Sequence, residues 1–300
     1  MNSIQKCGVI KALRRQAPLS ALVLLFAAVI GYPVSAQTAA EEPAKTFKVC
    51  RDPNNLPFSN SSSEGYEDKI AQVLADSAGR KLEFYDFASR FNFIRNTLKF
   101  KLPGEDYRCD VVIGVPAGFD QVSATKPYFR STYALVIPQG RGLDAVKTVD
   151  DFLALPKSKL NKLHIGVIDR SPASNWLVNH GLLEQGIPYR LLVADLDQTA
   201  GGIIENDLVG GKIDVAVIWG PIAGYYARRN PETHFTVIPM KSENGVKFEF
   251  DIAMGVRYGE KEWKQQVEQL IETNKPKILS ILADYGVPAF DVPAATEKDK

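Results

Sequence analysis

The chain has little cysteine, little histidine and almost no net charge. Its 300 residues include 3 Cys and 3 His, and 36 Lys and Arg stand against 35 Asp and Glu, a formal net charge of +1. So few cysteines exclude a small fold held together by disulfides. His164, His180 and His234 form no pair at helical spacing, so no transition-metal site is predicted. The balanced charge argues against a nucleic-acid partner, because phosphate recognition needs a basic face.

Long hydrophobic runs are also lacking. The apolar run at residues 19–30 is shorter than the roughly 20 residues that span a bilayer. Four basic residues without an acidic one precede it and Val34-Ser35-Ala36 follows, which predicts an export signal over residues 1–36 and a periplasmic protein without a stable membrane anchor. Removing the signal takes four basic and no acidic residues, so the mature protein carries a net charge of about −3.

Export leaves Cys50 and Cys109 as the cysteines of the mature chain, because Cys7 lies within the signal. Each adjoins a hydrophobic strand pattern, at residues 47–50 and 109–114, and neighbouring strands of one sheet would bring them together. An even number of cysteines in an oxidising compartment favours pairing. We predict a disulfide between Cys50 and Cys109. The alternative is two buried free thiols.

Strand and helix patterns alternate from Phe47 to the end of the chain, which is typical of an α/β fold with mainly parallel sheets. Strands are predicted at residues 47–50, 82–84, 110–115, 132–137, 163–168, 190–193, 213–219, 235–238 and 248–256. Helices are predicted at residues 66–78, 174–180, 199–209, 223–229, 260–273 and 276–285.

The patterns predict two lobes joined by two hinge crossings. The glycine-rich segment 139–147, which is poor in large apolar residues, marks the first crossing, and the second follows the strand at 235–238. The predicted bounds are residues 46–138 and 241–293 for lobe 1, 139–240 for lobe 2 and 294–300 for a flexible tail. The last two helices are expected to return to lobe 1.

Ligands of open α/β sheets bind at the carboxyl ends of the strands. The site is therefore predicted in a central cleft between the lobes. The loops that feed this cleft follow Cys50, Val115, Ile168 and Trp219.

Five short motifs occur in order along the chain: Pro57-Phe58, Gly65-Tyr66-Glu67, Asp110-Val111-Val112-Ile113-Gly114, Lys126-Pro127-Tyr128-Phe129 and Gly211-Lys212-Ile213-Asp214-Val215-Ala216. Together they resemble the periplasmic solute-binding proteins of the polar amino acid type, family 3. The resemblance implies a two-lobed type II periplasmic binding fold. Amino acid binders of that family carry an arginine after the strand at residues 111–115 that clamps the ligand carboxylate. Residues 116–125 contain no arginine, so an ordinary amino acid ligand is not expected.

Four further motifs give a narrower match: residues 49–60, residues 107–116, Trp219-Gly220-Pro221 and residues 284–288. The first of them is long and specific. They are similar to the MoxJ/XoxJ group, solute-binding-like proteins associated with periplasmic quinoprotein methanol dehydrogenases. The resemblance implies a non-enzymatic accessory protein that binds a dehydrogenase dependent on pyrroloquinoline quinone and assists its assembly or activation. The dehydrogenase is the implied partner, with its cytochrome c as a candidate second partner. No cofactor or metal is predicted for the accessory protein itself.

Two alternatives stay open. One is the substrate-binding component of an ABC importer for a small polar solute other than an ordinary amino acid. The other is an enzyme of the dehydratase type, because one fold hosts many functions. Gly210-Gly211-Lys212 is no phosphate loop, since Asn206 stands in place of the first glycine, and no Gly-x-Ser-x-Gly elbow occurs. No catalytic residue is therefore predicted.

Ten residues are predicted to line the cleft and bind a ligand or partner: Arg51, Asp52, Asn54, Asn55, Phe58, Glu67, Tyr128, Ser171, Ser174 and Trp219. Trp219 precedes Gly220-Pro221, which places a large flat side chain at the cleft rim, where it would anchor a partner.

Most of these residues also have a purely structural interpretation. Asx side chains in the first loop cap their own backbone, and Phe58 and Tyr128 would be buried beneath it. Glu67 is favourable near a helix start without any ligand. The serines after Ile168 would form a self-contained cap.

Overall fold

The structure is a computed structural model that describes residues 46–88, 92–190, 199 and 201–292. All of them belong to one compact unit, residues 42–300. The predicted export signal and tail, and most of the strand predicted at residues 190–193, lie outside the described residues.

The prediction of mainly parallel sheets is wrong, because six of the nine described strand pairings are antiparallel and three are parallel. The strands of these mixed sheets alternate only in part with helices. They are β1 (Phe47–Arg51), β2 (Asn54–Asn55), β3 (Ser59–Asn60), β4 (Leu82–Asp86), β5 (Val112–Pro116), β6 (Ser123–Ala124), β7 (Phe129–Pro138), β8 (Ile165–Ile168), β9 (Gly186–Tyr189), β10 (Val215–Trp219), β11 (Phe235–Pro239) and β12 (Glu249–Val256). The helices are α1 (Tyr66–Ser77), α2 (Phe93–Asn96), α3 (Val149–Leu153), α4 (Lys157–Leu160), α5 (Pro172–Asn179), α6 (Gly220–Arg229) and α7 (Lys261–Asp284). A 3₁₀ turn lies at Leu183–Gln185 and a π-helical segment at Ile203–Leu208.

The C-terminal pair of helices predicted from the sequence is wrong, because α7 runs through Pro276 as one helix of 24 residues. Proline breaks helices by removing an N–H and by crowding the preceding turn. Here Val267 and Ile271 before Pro276 and Ile278 and Leu282 after it all join one hydrophobic cluster. Burial of both halves on the same core keeps the helix continuous. The predicted return of this segment to the first part of the chain is confirmed, since the cluster includes residues of β1 and α1.

Strand β7 connects two sets of strands. The sheet order is β5-β12-β7-β10-β8-β9, with β6 on β12 and β11 on β7. From Phe129 to Thr132, β7 pairs with β12, and from Tyr133 onward it pairs with β10 and β11. The chain thus passes from one set of strands to the other inside a single continuous strand. The lobe bounds predicted above stay a prediction.

The disulfide between Cys50 and Cys109 is present and ties β1 to the segment that enters β5. Strand β1 pairs in parallel with β4, and Val49 also bridges Val111. The two cysteines are buried in a small cluster with Ile94 and Leu98. Three larger clusters fill the remaining core, one between the α1 and α7 helices and the first set of strands, and two around β7, β8 and β10.

Helix α1 begins at a tightly built turn. The Asp68 carboxylate accepts hydrogen bonds from the backbone N–H groups of Gly65 and Asn60, both at 3.0 Å. The hydrogen bond from Gly65 to Asp68 caps the N-terminus of the helix. Gly65 is required because a β-carbon there would lie 2.0 Å from the carbonyl oxygen of Phe58. The close approach brings the loop after β1 against α1 and presents Glu67 and Phe58 to the same space.

Candidate functional site

A cavity of about 460 Å³ lies where the two sets of strands meet. Its size is within the range of small-molecule sites, roughly 300 to 1,000 Å³. The lining residues come from the loop after β1, from α1, α2, β5 and the loop after it, and from β7, β10 and β12. They are Asp52, Asn55, Phe58, Ser59, Tyr66, Glu67, Phe93, Ile94, Val112, Gly114, Val115, Pro116, Phe119, Tyr133, Trp219, Phe250 and Ile252.

Aromatic side chains dominate the cavity wall. Tyr133, Trp219 and Phe250, which we call the aromatic triad, pack against one another with ring centroids 5.5 Å (Tyr133 to Trp219), 5.8 Å (Trp219 to Phe250) and 6.5 Å (Tyr133 to Phe250) apart. Phe58 and Tyr66 form a second pair at 5.5 Å. Because the three rings of the triad are only half-buried, part of their surface is available to a bound group.

Glu67 is an acidic residue of this wall whose pKa is strongly raised. Its carboxylate lies over β5, where a β-carbon on Gly114 would be 2.1 Å from Oε1. Gly114 therefore creates the space that the carboxylate occupies. Burial, and then the charge of Asp68, raise the pKa of Glu67 from 4.5 to about 8. At neutral pH the group is mostly protonated.

Two acidic side chains, Asp52 and Glu67, line the cavity, and no Lys, Arg or His is found among the described lining residues. Arg51 points away to other partners: its guanidinium binds Asp86 at 2.6 Å and Asp68 at 3.2 Å and stacks on Phe84 at 3.8 Å. The wall is thus acidic and aromatic. No arginine is found among the lining residues that the structure describes.

A second, smaller cavity of about 210 Å³ shares Tyr133 and Trp219 with the first. The loop after β8 lines it with Asp169, Arg170 and Ser171. Ser171 is buried, and no partner for its hydroxyl is found among the described residues.

The cavity brings together five of the ten residues that the sequence predicts for the cleft: Asp52, Asn55, Phe58, Glu67 and Trp219. Ser171 lines the neighbouring cavity, while four others line neither cavity: Arg51, Asn54, Tyr128 and Ser174. The hydroxyl of Tyr128 donates to the carbonyl of Ile113 at 3.2 Å, and that of Ser174 to the carbonyl of Ile168 at 3.2 Å. The Asx turn is also present, because Asp52 accepts from the N–H of Asn54 at 2.9 Å.

Sequence reasoning missed Tyr133 and Phe250 of the aromatic triad. Phe250 and Ile252 share one face of β12, and Phe248 precedes the strand in the same alternation with Glu249 and Asp251, so this pattern was an available signal. The proximity of Tyr133 follows only from the pairing of β7 with β12 and β10.

Two features are absent from the part of the chain that the structure describes. No group of three or more His, Cys, Asp or Glu side chains is arranged to hold a metal ion. Within the same residues, no helix has the length and apolar character needed to cross a membrane.

Comparison with known proteins identifies the family. MoxJ from Methylorubrum extorquens is 30% identical over 293 residues, covering 92% of this chain and 93% of the relative. The chain belongs to the MoxJ family. MoxJ from Paracoccus denitrificans is 28% identical over 255 residues, covering 81% of this chain and 88% of the relative. No protein-family model matches the chain.

The MoxJ-family fold is that of the type II periplasmic binding proteins. The crystal structure of the periplasmic binding protein XoxJ from Methylobacterium extorquens AM1 is 33% identical and has a TM-score of 0.66, covering 82% of this chain and all of that chain. Solved amino acid-binding proteins below 25% identity share the fold alone. The two-lobed α/β fold with a central cleft, expected from the sequence, is thereby confirmed.

Proposed function

We propose that the protein is a non-enzymatic periplasmic accessory protein that binds a quinoprotein methanol dehydrogenase and assists its assembly or activation. The observation that carries the proposal is the position of Trp219 in the cavity wall, packed with Tyr133 and Phe250 in a chain of the MoxJ family. Large aromatic side chains in pockets are the residues that most often dominate binding between proteins.

The chemistry of the described lining supports binding over catalysis. Enzymes that use a side-chain nucleophile hold it within hydrogen-bond reach of a general base. Ser59, whose hydroxyl is one such group among the described lining residues, donates to the backbone carbonyl of Asp52 at 2.8 Å and not to a general base. A binding role needs neither a nucleophile nor a general base, and the same lining residues suffice for it.

The first prediction is that Trp219→Ala weakens association with the dehydrogenase encoded in the same genome by at least a few-fold. Loss of a dominant interface residue typically costs about 2 kcal/mol. Association is measured by titration calorimetry and by activation of the dehydrogenase in vitro. Lys277→Ala, an exposed change on α7, serves as the control and should leave both readings unchanged.

Equal binding and activation by wild type and Trp219→Ala would place the interface outside the cavity. If wild type shows no association at all, the accessory role is wrong. Thermal unfolding of Trp219→Ala is recorded alongside, because this ring also packs in the core.

The second candidate is the receptor of an ABC importer for a small polar solute. The volume of the cavity, about 460 Å³, favours it because a solute of that class would fit. Tight binding of a small solute together with no association with the dehydrogenase would establish this function instead.

A further inference from the structure

The Glu67 carboxyl reaches the cavity without a hydrogen-bond partner of its own. It lies over Gly114 in β5, and no hydrogen bond or ion pair to either carboxyl oxygen is found within the described part of the chain. Glu67 is only half-buried, and the part of it that stays accessible faces the cavity. A group bound in the cavity can therefore contact this carboxyl directly.

Most of the wall around this carboxyl is apolar. The aromatic triad and the Phe58 and Tyr66 pair surround the same space, together with the aliphatic side chains of Val112, Val115 and Ile252. Such surroundings disfavour an ionised carboxyl, because the charge loses its hydration. Burial accordingly raises the pKa of Glu67 to about 8, so the carboxyl mostly carries its proton at neutral pH.

We propose that this cavity binds a neutral group with an apolar body and a carbonyl-type hydrogen-bond acceptor, to which the protonated Glu67 carboxyl donates. A protonated carboxyl has an O–H to donate, whereas a carboxylate only accepts. The acceptor supplies the partner that the carboxyl lacks in the described structure. The apolar body packs on the rings that line the rest of the cavity of about 460 Å³.

This inference rests on the proposed function for the site and names the chemistry of its occupant. An apolar side chain next to a backbone carbonyl, in a segment of the partner dehydrogenase, has this chemistry, and so does a free neutral solute. The two sources share the recognition groups and are separated by experiment.

Two other acids lie near this carboxyl. Asp68 neighbours it on α1 and pairs with Arg51 at 3.2 Å, and the charge of Asp68 contributes to the raised pKa of Glu67. Asp52 lies on the loop after β1, where its carboxylate accepts from the N–H of Asn54. The proposal uses the proton of Glu67 and the charge of neither neighbour.

Three phenols also lie near this carboxyl, one on α1, one before β7 and one within β7. Burial raises the pKa of Tyr66 and Tyr128 well above 10 and that of Tyr133 to about 12. All three therefore stay neutral up to pH 9. A change in binding between pH 6 and pH 9 does not come from these phenols.

The test uses N,N-dimethylbenzamide, a neutral aromatic amide that accepts hydrogen bonds, donates none and does not titrate in this range. Titration calorimetry at pH 6 and pH 9 measures its affinity for the protein. We expect binding about tenfold weaker at pH 9, because the protonated fraction of a group with pKa about 8 falls about tenfold over that range. Binding at pH 9 should take up nearly one proton, measured from the heats in borate and in CHES.

Two variants separate the donor from the shape of the side chain. Glu67→Gln keeps an N–H donor, so it should bind the amide at both pH values with equal affinity. Glu67→Leu has no donor and should bind it about fivefold more weakly than Glu67→Gln, as expected for one hydrogen bond. Isopropylbenzene, which has no acceptor, should show no such loss in Glu67→Leu. Glu262→Gln, an exposed change on α7, is the matched control and should behave as wild type.

Four results would overturn the proposal. They are amide binding by wild type that does not depend on pH, equal amide binding by Glu67→Gln and Glu67→Leu, the same loss for isopropylbenzene as for the amide in Glu67→Leu, and no amide binding at millimolar concentration.

A competition experiment separates the two sources. If saturating N,N-dimethylbenzamide releases the dehydrogenase, a segment of that partner occupies the cavity. If the dehydrogenase stays bound while the amide binds, a free neutral solute is the ligand. Amide binding is measured on the protein alone, so failure of the dehydrogenase to associate would refute the proposed function and leave this site standing.

Discussion

At the scale of single residues, the site depends on small groups that make room for large ones. Gly114 in β5 leaves the space that the Glu67 carboxylate fills, and Gly65 lets the loop after β1 approach α1. Arg51 looks like a ligand-binding residue in the sequence but is neutralised by Asp68 and Asp86. Arg51 therefore does not line the cavity.

The second prediction concerns the pH dependence of stability that Glu67 causes. Its folded pKa, about 8, is higher than its unfolded value near 4.5, so the folded state binds more protons between these values. The free energy of unfolding therefore falls as the pH rises from about 5 to 8.5. The loss is on the order of a few kcal/mol, since one pKa unit corresponds to about 1.4 kcal/mol.

Glu67→Gln should remove most of this fall, because the amide stays neutral at both pH values. Urea unfolding of wild type and variant at pH 5 and pH 8.5 measures the difference. Glu262→Gln is again the control. Parallel losses in wild type and Glu67→Gln would show that the Glu67 carboxyl keeps an ordinary pKa.

At the scale of elements, the first strand is held from several sides. β1 pairs with β4, and the disulfide connects it to the segment before β5. Arg257 donates to the Cys109 carbonyl and binds Asp110 at 2.6 Å, which anchors the same segment to the end of β12. The loop that leaves β1 carries Asp52 and Phe58, so these contacts position part of the cavity wall.

The third prediction is that removing the disulfide destabilises the protein by about 4 kcal/mol. Cys50 and Cys109 are 59 residues apart, and closing a loop of that length restricts the unfolded chain by this amount in the entropic account. The double variant Cys50→Ser with Cys109→Ser is compared with wild type by guanidinium unfolding.

The intact mass of the non-reduced wild type should be lower than that of the reduced protein by the mass of two hydrogen atoms, because disulfide formation removes one from each thiol. Free thiols in protein purified from the periplasm would contradict the pairing. Cys7→Ser is the matched control for cysteine substitution and should leave the mature protein unchanged, because the predicted signal is removed.

At the scale of the whole molecule, one strand joins the two halves of the site. β7 pairs with β12 through Thr132 and with β10 and β11 from Tyr133 onward, so Tyr133 lies where the partners change. A rotation at this point would separate Trp219 from Phe250 and open the cavity. Ligand or partner affinity for one arrangement would then select it.

The fourth prediction is that no standard amino acid binds with a submicromolar dissociation constant. Zwitterionic ligands need a cationic group for their carboxylate, and none of the described cavity-lining residues is a lysine, arginine or histidine. Titration calorimetry with the standard amino acids at pH 7 and pH 9 measures this. A single submicromolar amino acid would restore the importer receptor as the better function.

How much could be predicted from the sequence depends on the range of the interactions involved. The order of strands and helices, the start of α1 near Tyr66 and the missing arginine follow from residues close together in the chain. Hydrophobic periodicity and turn-forming residues involve only a few consecutive residues, so the sequence alone predicts the elements that they specify. The pairing of Cys50 with Cys109 followed from compartment and count.

The tertiary structure alone decided the composition of the cavity wall and the continuity of α7. Tyr133 and Phe250 meet Trp219 because of strand register, and Tyr128 is turned toward the carbonyl of Ile113 by the same sheet. Pro276 is accommodated because both sides of it bury apolar residues on one core. In these places, packing between distant segments overrides the local conformational preference. The free energy gained by burying apolar side chains exceeds the cost of a proline inside a helix or of an aromatic ring left partly exposed.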